Sequence, residues 1–134
     1  MPAYRRLLVL AVFAVLASLS IVACGGSDED DVQAAVKDFA SAVKDKDYGK
    51  ACDGITAGAR KSLEEAAPGK AGCEGVLKQV NEAGGLEGLP DNPDDIKFDK
   101  TVVNGDKATI KVKGDSTGDT RMRKQDGEWK LDVN

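Results

Sequence analysis

The chain has no histidine and only three cysteines among its 134 residues. It therefore lacks the imidazole that most often serves as general base or metal ligand near neutral pH. Without histidine, and without a Cys-x-x-Cys pair, neither a structural zinc site nor a dithiol redox site is expected. Aromatic residues make up 4% of the chain, too few to wall a deep ring-lined cavity. Basic residues number 19 against 23 acidic ones, a net charge of −4. This balance is the reverse of what a nucleic-acid-binding surface needs. The longest apolar run, Leu7 to Leu19, has 13 residues, short of the roughly 20 that span a bilayer.

What is present starts with that run. Arg5 and Arg6 precede it, Ser20-Ile21-Val22-Ala23-Cys24 follows, and Gly25-Gly26-Ser27 leads into a charged stretch. A basic start, a short apolar segment and small residues at a cut are the layout of a secretory signal. Extended through Ala23 the segment reaches about 17 residues, the least that can span a membrane, so an uncleaved anchor is the alternative. A cysteine directly after Ala23, with Ile21 three places before it, resembles the lipobox of bacterial lipoproteins. That resemblance implies a thioether-linked diacylglyceryl group on Cys24, cleavage before it, and a protein held on the extracytoplasmic face of the cell membrane. Two acyl chains anchor a protein stably where one does not. The expected organisation is a signal peptide over 1–23, a flexible tether over 24–31 and one α+β domain over 32–134. After cleavage 17 basic and 23 acidic residues remain, a net charge of −6. That charge argues against adhesion to anionic headgroups.

With Cys24 lipidated, Cys52 and Cys73 are left to pair in an oxidising compartment. Their 21-residue separation makes the bridge worth on the order of 3 kcal/mol in the chain-entropy model. The carboxylates of Asp28 to Asp31 lack the spacing and loop glycine of an EF-hand and suit a helix start instead.

Val32, Ala35, Val36, Phe39, Ala40 and Val43 follow helical spacing and predict a helix to about Lys46, with Tyr48-Gly49 at its end. Thr56 is a predicted N-cap for a helix over 57–67, which Pro68-Gly69 stops. A third helix is predicted over 71–83, with Cys73, Val76, Leu77 and Val80 inward. Gly88, Pro90, Asn92 and Pro93 then forbid a regular element. The period next changes to two. Ile96 and Phe98 alternate with charged residues, as do Ala108, Ile110 and Val112. Thr120 and Met122 oppose Arg121 and Arg123, and Trp129, Leu131 and Val133 form a last apolar face. Asn104-Gly105-Asp106 and Gln125-Asp126-Gly127 are hairpin turn signals. The expected fold is N-terminal helices packed on one face of a curved, four-stranded antiparallel sheet.

Residues 36–47 (Val-Lys-Asp-Phe-Ala-Ser-Ala-Val-Lys-Asp-Lys-Asp), Ala51-Cys52, and the ending Asp126-Gly127-Glu128-Trp129-Lys130-Leu131-Asp132 follow this layout. Together they resemble small lipoproteins and secreted domains of the nuclear-transport-factor-2-like (cystatin-like) superfamily, common in actinobacteria. The resemblance implies a cone formed by a sheet wrapped around helices, which holds a small ligand, an active site or nothing. Catalytic members place an Asp or His inside the cone. No position here matches such a residue, so no catalytic, cofactor-binding or metal-binding residue is assigned.

Two candidate surfaces remain. Val36, Phe39, Phe98, Ile110, Met122 and Trp129 would bound an apolar cavity between the first helix and the sheet. Lys107, Lys111, Lys113, Arg121 and Arg123 would form a positive sheet face for an acidic partner or a cell-wall polymer, with Lys124 alongside; otherwise they are outward charges that discourage edge pairing. Trp129 reads first as the core aromatic of the last strand and second as a ligand platform. The leading functional expectation is a non-enzymatic, membrane-tethered binding module without a cofactor, partnered by an envelope protein or polymer and not by nucleic acid. The alternatives are a small-molecule or lipid carrier and, last, an Asp-dependent isomerase- or cyclase-like enzyme.

Overall fold

The computed structural model describes residues 27–67, 69, 71–115 and 118–133. The signal segment, Cys24 and the first part of the tether lie outside them. Four helices precede four strands: α1 (Asp28–Lys44), α2 (Tyr48–Asp53), α3 (Ala57–Ala66), α4 (Cys73–Glu82), β1 (Phe98–Asn104), β2 (Lys107–Val112), β3 (Thr120–Gln125) and β4 (Glu128–Leu131). The strands pair antiparallel in the order β1-β2-β3-β4. This is the α+β meander expected.

α1 starts four residues earlier than the apolar pattern suggests, so Asp28 to Asp31 are helix and not tether. Ser27 caps it by accepting from the Asp30 amide at 3.3 Å, and four carboxylates in the first turn suit the positive end of the helix dipole. It ends at Lys44, two residues short of the expected Lys46, which takes a positive φ of 58°. Tyr48 does not close α1 but opens α2, where the Asp47 side chain accepts from the Lys50 amide at 3.1 Å. Its ring packs against the core and its hydroxyl accepts from Asn81 Nδ2 at 3.0 Å.

Thr56 caps α3 as expected: its Oγ1 accepts from the Ala59 amide at 3.2 Å and donates to Asp132 Oδ1 at 3.1 Å. A cap of this kind is worth about 1 kcal/mol. α4 begins after Gly72, which has no side chain to cap it, and Glu64 of α3 supplies the acceptor for the Cys73 amide at 3.0 Å. Cys52 and Cys73 are bonded and join α2 to α4. Cys73, Val76 and Leu77 are buried, but Val80, expected inward, is 37% exposed. α2 runs along α4 from the Cys52–Cys73 bridge to the Tyr48–Asn81 hydrogen bond, so Asn81 and not Val80 takes the last place on that face. Val80 instead lies against Gly85, where a Cβ would come within 2.8 Å of its Cγ1.

The link that follows α4 is not inert. Leu86 and Leu89 turn in against the core, and the Lys44 ammonium donates to Asp91 in the same stretch. That hydrogen bond, and then the charge behind it, holds the Asp91 carboxyl below its ordinary range. Pro93–Asp95 form one 3-10 turn.

Both hairpins close on the residues expected. Asn104 pairs with Lys107 around Gly105 (φ 64°) and Asp106. Gln125 pairs with Glu128 around Asp126 (φ 55°) and Gly127 (φ 82°). Two positive φ values in a two-residue loop are the I′ pattern, whose twist matches the flanking strands.

β1 carries the main irregularity. Phe98 faces Val112 and Lys100 faces Lys111, so Asp99 is an extra, bulged residue. A bulge shifts the alternation by one. Beyond it Thr101 and Val103 turn inward while Lys100 and Val102 turn out, Val102 being 46% exposed. At the other edge, β4 is covered. The Leu131 amide donates to Gly54 O at 2.8 Å, and its carbonyl accepts from the Thr56 amide at 2.9 Å. β4 stops at Leu131, and Val133, expected in that strand, is 44% exposed.

One core lies between the helices and the inner sheet face. Val32 and Val43 of α1, Ala51 and Cys52 of α2, Ile55, Leu77 of α4, and Ala108, Ile110, Met122, Trp129 and Leu131 of the sheet form one buried cluster.

Candidate functional site

The helices cover one face of the sheet, because all the buried strand residues (Ala108, Ile110, Met122, Trp129 and Leu131) point that way into a cluster with α1 and α2. Directly paired residues share a face, and the register therefore assigns the other face. Across β2, β3 and β4 stand Lys107, Arg123 and Lys130 in one row, since Lys107 pairs with Arg123 and Arg123 with Lys130. Lys100 and Lys111 form a second pair. Arg121, opposite Thr109, lies between the rows. Lys100, Lys107, Lys111, Lys113, Arg121 and Arg123 are exposed and Lys130 is half-buried.

Four of the five residues expected on this face, Lys107, Lys111, Arg121 and Arg123, therefore lie at one side of the sheet, whereas Lys113 follows β2 and borders the groove described below. Two more cations join them. Lys130 was legible from the alternation around Trp129 and Leu131. Lys100 was not, because simple alternation from Phe98 places it inward and only the Asp99 bulge turns it out. Lys124 belongs elsewhere. It pairs with Trp129 on the inner face, its ammonium sits 5.7 Å from the indole centroid, and it meets Asp28 of α1 at 3.3 Å.

Two carboxylates meet the basic face: Glu128, opposite Gln125 and on the same side of β4 as Lys130, and Asp132 just beyond that strand. Asp132 Oδ2 lies 3.3 Å from Arg123 Nε, its side chain is 15% exposed, and its other oxygen accepts from Thr56. Among the described residues Thr56 is the one polar residue in the buried class. No group of acidic or cysteine side chains among the described residues has the arrangement to hold a metal ion.

The six residues expected to bound one cavity do not share one. Ile110 is 0% and Met122 2% exposed, sealed under α1. Phe98 packs against the same core at its edge. Val36 and Phe39 instead wall a groove of about 690 Å³, completed by Leu86, Leu89, Ile96, Val112 and Leu131, with Asp95, Lys97, Lys113 and Asp115 around it. Phe39 and Trp129 line a second hollow of about 490 Å³ at the β4 edge, rimmed by Asp31, Asp38, Asp53 and Glu128 together with Lys50 and Lys130. The split arises because α1 packs across the sheet against β1, β2 and β4, where Val32, Ala42 and Val43 join Ile110 and Met122 in one filled core, while Ala40 faces the groove. The groove's link leucines escaped sequence reading because the Gly- and Pro-rich stretch that carries them has no period.

Trp129 is 7% exposed, and its Nε1 is buried without a hydrogen-bond partner. Among the described residues no helix is long and apolar enough to cross a membrane. No protein-family model, no curated protein and no solved structure matches this chain.

Proposed function

We propose that the chain is a lipid-anchored, non-enzymatic binding module on the extracytoplasmic face of a bacterial membrane, with a cone-like α+β domain of the nuclear-transport-factor-2-like type. Its open, basic sheet face docks an anionic partner of the envelope. The observation that carries the reading is the charge distribution. A protein of net charge −4 gathers Lys100, Lys107, Lys111, Arg121, Arg123 and Lys130 on one sheet face. Such a patch steers an oppositely charged partner and sets its orientation.

The anchor supports the same reading. Asp28 opens α1, and only three residues separate it from Cys24. Four steps of chain reach about 14 Å at full extension, so a lipid on Cys24 keeps the domain close to the bilayer. Cys24→Ala is expected to abolish acylation and move the protein from the detergent phase to the aqueous phase on phase partitioning. Unchanged partitioning rules out the lipoprotein reading.

The groove favours a second reading, a carrier of a small apolar molecule. Its volume falls within the 300–1,000 Å³ of small-molecule sites, and its walls are mainly aliphatic. Native mass spectrometry of the protein taken gently from its own membranes separates the two. A bare mass beyond the acyl chains is the expected result. A reproducible non-covalent adduct establishes the carrier instead.

A further inference from the structure

The sheet register sets like charges against one another. Lys107 faces Arg123, Arg123 faces Lys130, and Lys100 faces Lys111. Side chains directly opposite across a sheet have their Cβ atoms about 5 Å apart, and like charges there are destabilising. Three such pairs share one face of a protein whose acidic residues outnumber its basic ones. Asp132 is placed to offset one of these cations, Arg123. A local rule broken repeatedly on one surface, with an ion pair offsetting it at Arg123, is what a binding site looks like.

We infer that this face is built to bind a linear phosphodiester polymer of the polyol-phosphate kind, which neutralises the opposed cations as it lies across the strands. The inference rests on the docking role proposed for the same face and names its partner. Three features select the chemistry. The row Lys107, Arg123, Lys130 crosses three adjacent strands, spanning roughly 10 Å at the usual strand spacing, so it presents a line of charge to a line of charge. Lysine and arginine are the side chains that meet phosphate oxygens. The face also carries no aromatic ring: its uncharged members are Val102, Thr109, Asn104 and Gln125. Protein interfaces draw much of their binding energy from buried aromatic anchors, and single-stranded nucleic acid is held by base stacking on aromatic rings. A hydrophilic, ring-free polyanion needs neither.

The test uses the full chain in nonionic detergent, with synthetic poly(glycerol phosphate) as probe. Binding is measured by calorimetry at 50 and 200 mM salt. With Lys100, Lys107, Lys111 and Lys130 as the four phosphate contacts, affinity is expected to fall roughly 50- to 150-fold between those salts by counterion release. Lys107→Glu and Lys111→Glu, each of which turns a repulsion into an attraction, are expected to weaken binding at least tenfold while melting no lower than the parent. Lower melting temperatures in both variants overturn the argument from opposed charges. Tighter binding of polygalacturonate, of an oligonucleotide of equal charge, or of vesicles containing phosphatidylglycerol overturns the polyol-phosphate assignment but leaves an anion-docking face. Failure of every anion to bind removes both the assignment and the docking role.

Discussion

Trp129→Ala is expected to destabilise the protein by about 3–5 kcal/mol, the usual range for deleting a buried tryptophan. The side chain is 7% exposed and belongs to the main core cluster with Ile110, Met122 and Leu131. A domain of this size has about 5–15 kcal/mol in all, so the melting temperature should fall by more than 10 °C. Trp129→Phe should cost much less than Trp129→Ala, for a specific reason. The indole Nε1 is buried with no partner, and an unsatisfied buried donor carries a penalty of about 1–3 kcal/mol. Phenylalanine keeps most of the ring and removes that donor. It also keeps a face for the Lys124 ammonium, now 5.7 Å from the indole centroid. Urea unfolding of the two variants gives both numbers. An alanine variant as stable as the parent refutes the core role and returns Trp129 to the part of a ligand platform.

Loss of the Cys52–Cys73 bridge is the second large effect, about 3 kcal/mol for a loop of 21 residues. The helices it joins are poorly placed to hold together without it. α2 has six residues, and α4 buries only Cys73, Val76 and Leu77. α4 is otherwise tied by two side-chain hydrogen bonds, Glu64 to the Cys73 amide and Asn81 to Tyr48. The link behind it bears Leu86 and Leu89, which wall the groove. Cys52→Ala/Cys73→Ala is therefore expected to lower the urea midpoint and to weaken amide-exchange protection in α3 and α4 more than in the sheet. An unchanged midpoint, or a uniform loss of protection, overturns this account of the bridge.

Sequence alone determined the parts that depend on near neighbours. Thr56 caps because its hydroxyl is three residues from the amide it accepts. Asp126-Gly127 turns because both residues tolerate positive φ. Ala108, Ile110 and Met122 point inward because a strand alternates. The pairing of Cys52 with Cys73 followed from counting the cysteines left after Cys24. Other features needed the tertiary structure, because they depend on which residues meet across long separations. The Asp99 bulge turned Lys100 outward, a shift that no local pattern signals. Strand register set Lys107, Arg123 and Lys130 abreast and carried Lys124 to the opposite face, beside Asp28. Tyr48 bonded Asn81 and left Val80 exposed, and β4 ended at Leu131 and left Val133 exposed. The apolar set expected to enclose one cavity was divided when α1 packed across the sheet and its side chains filled the space beneath it. Periodicity chooses a residue's face, but packing chooses its neighbours, and the candidate binding surface is made of neighbours.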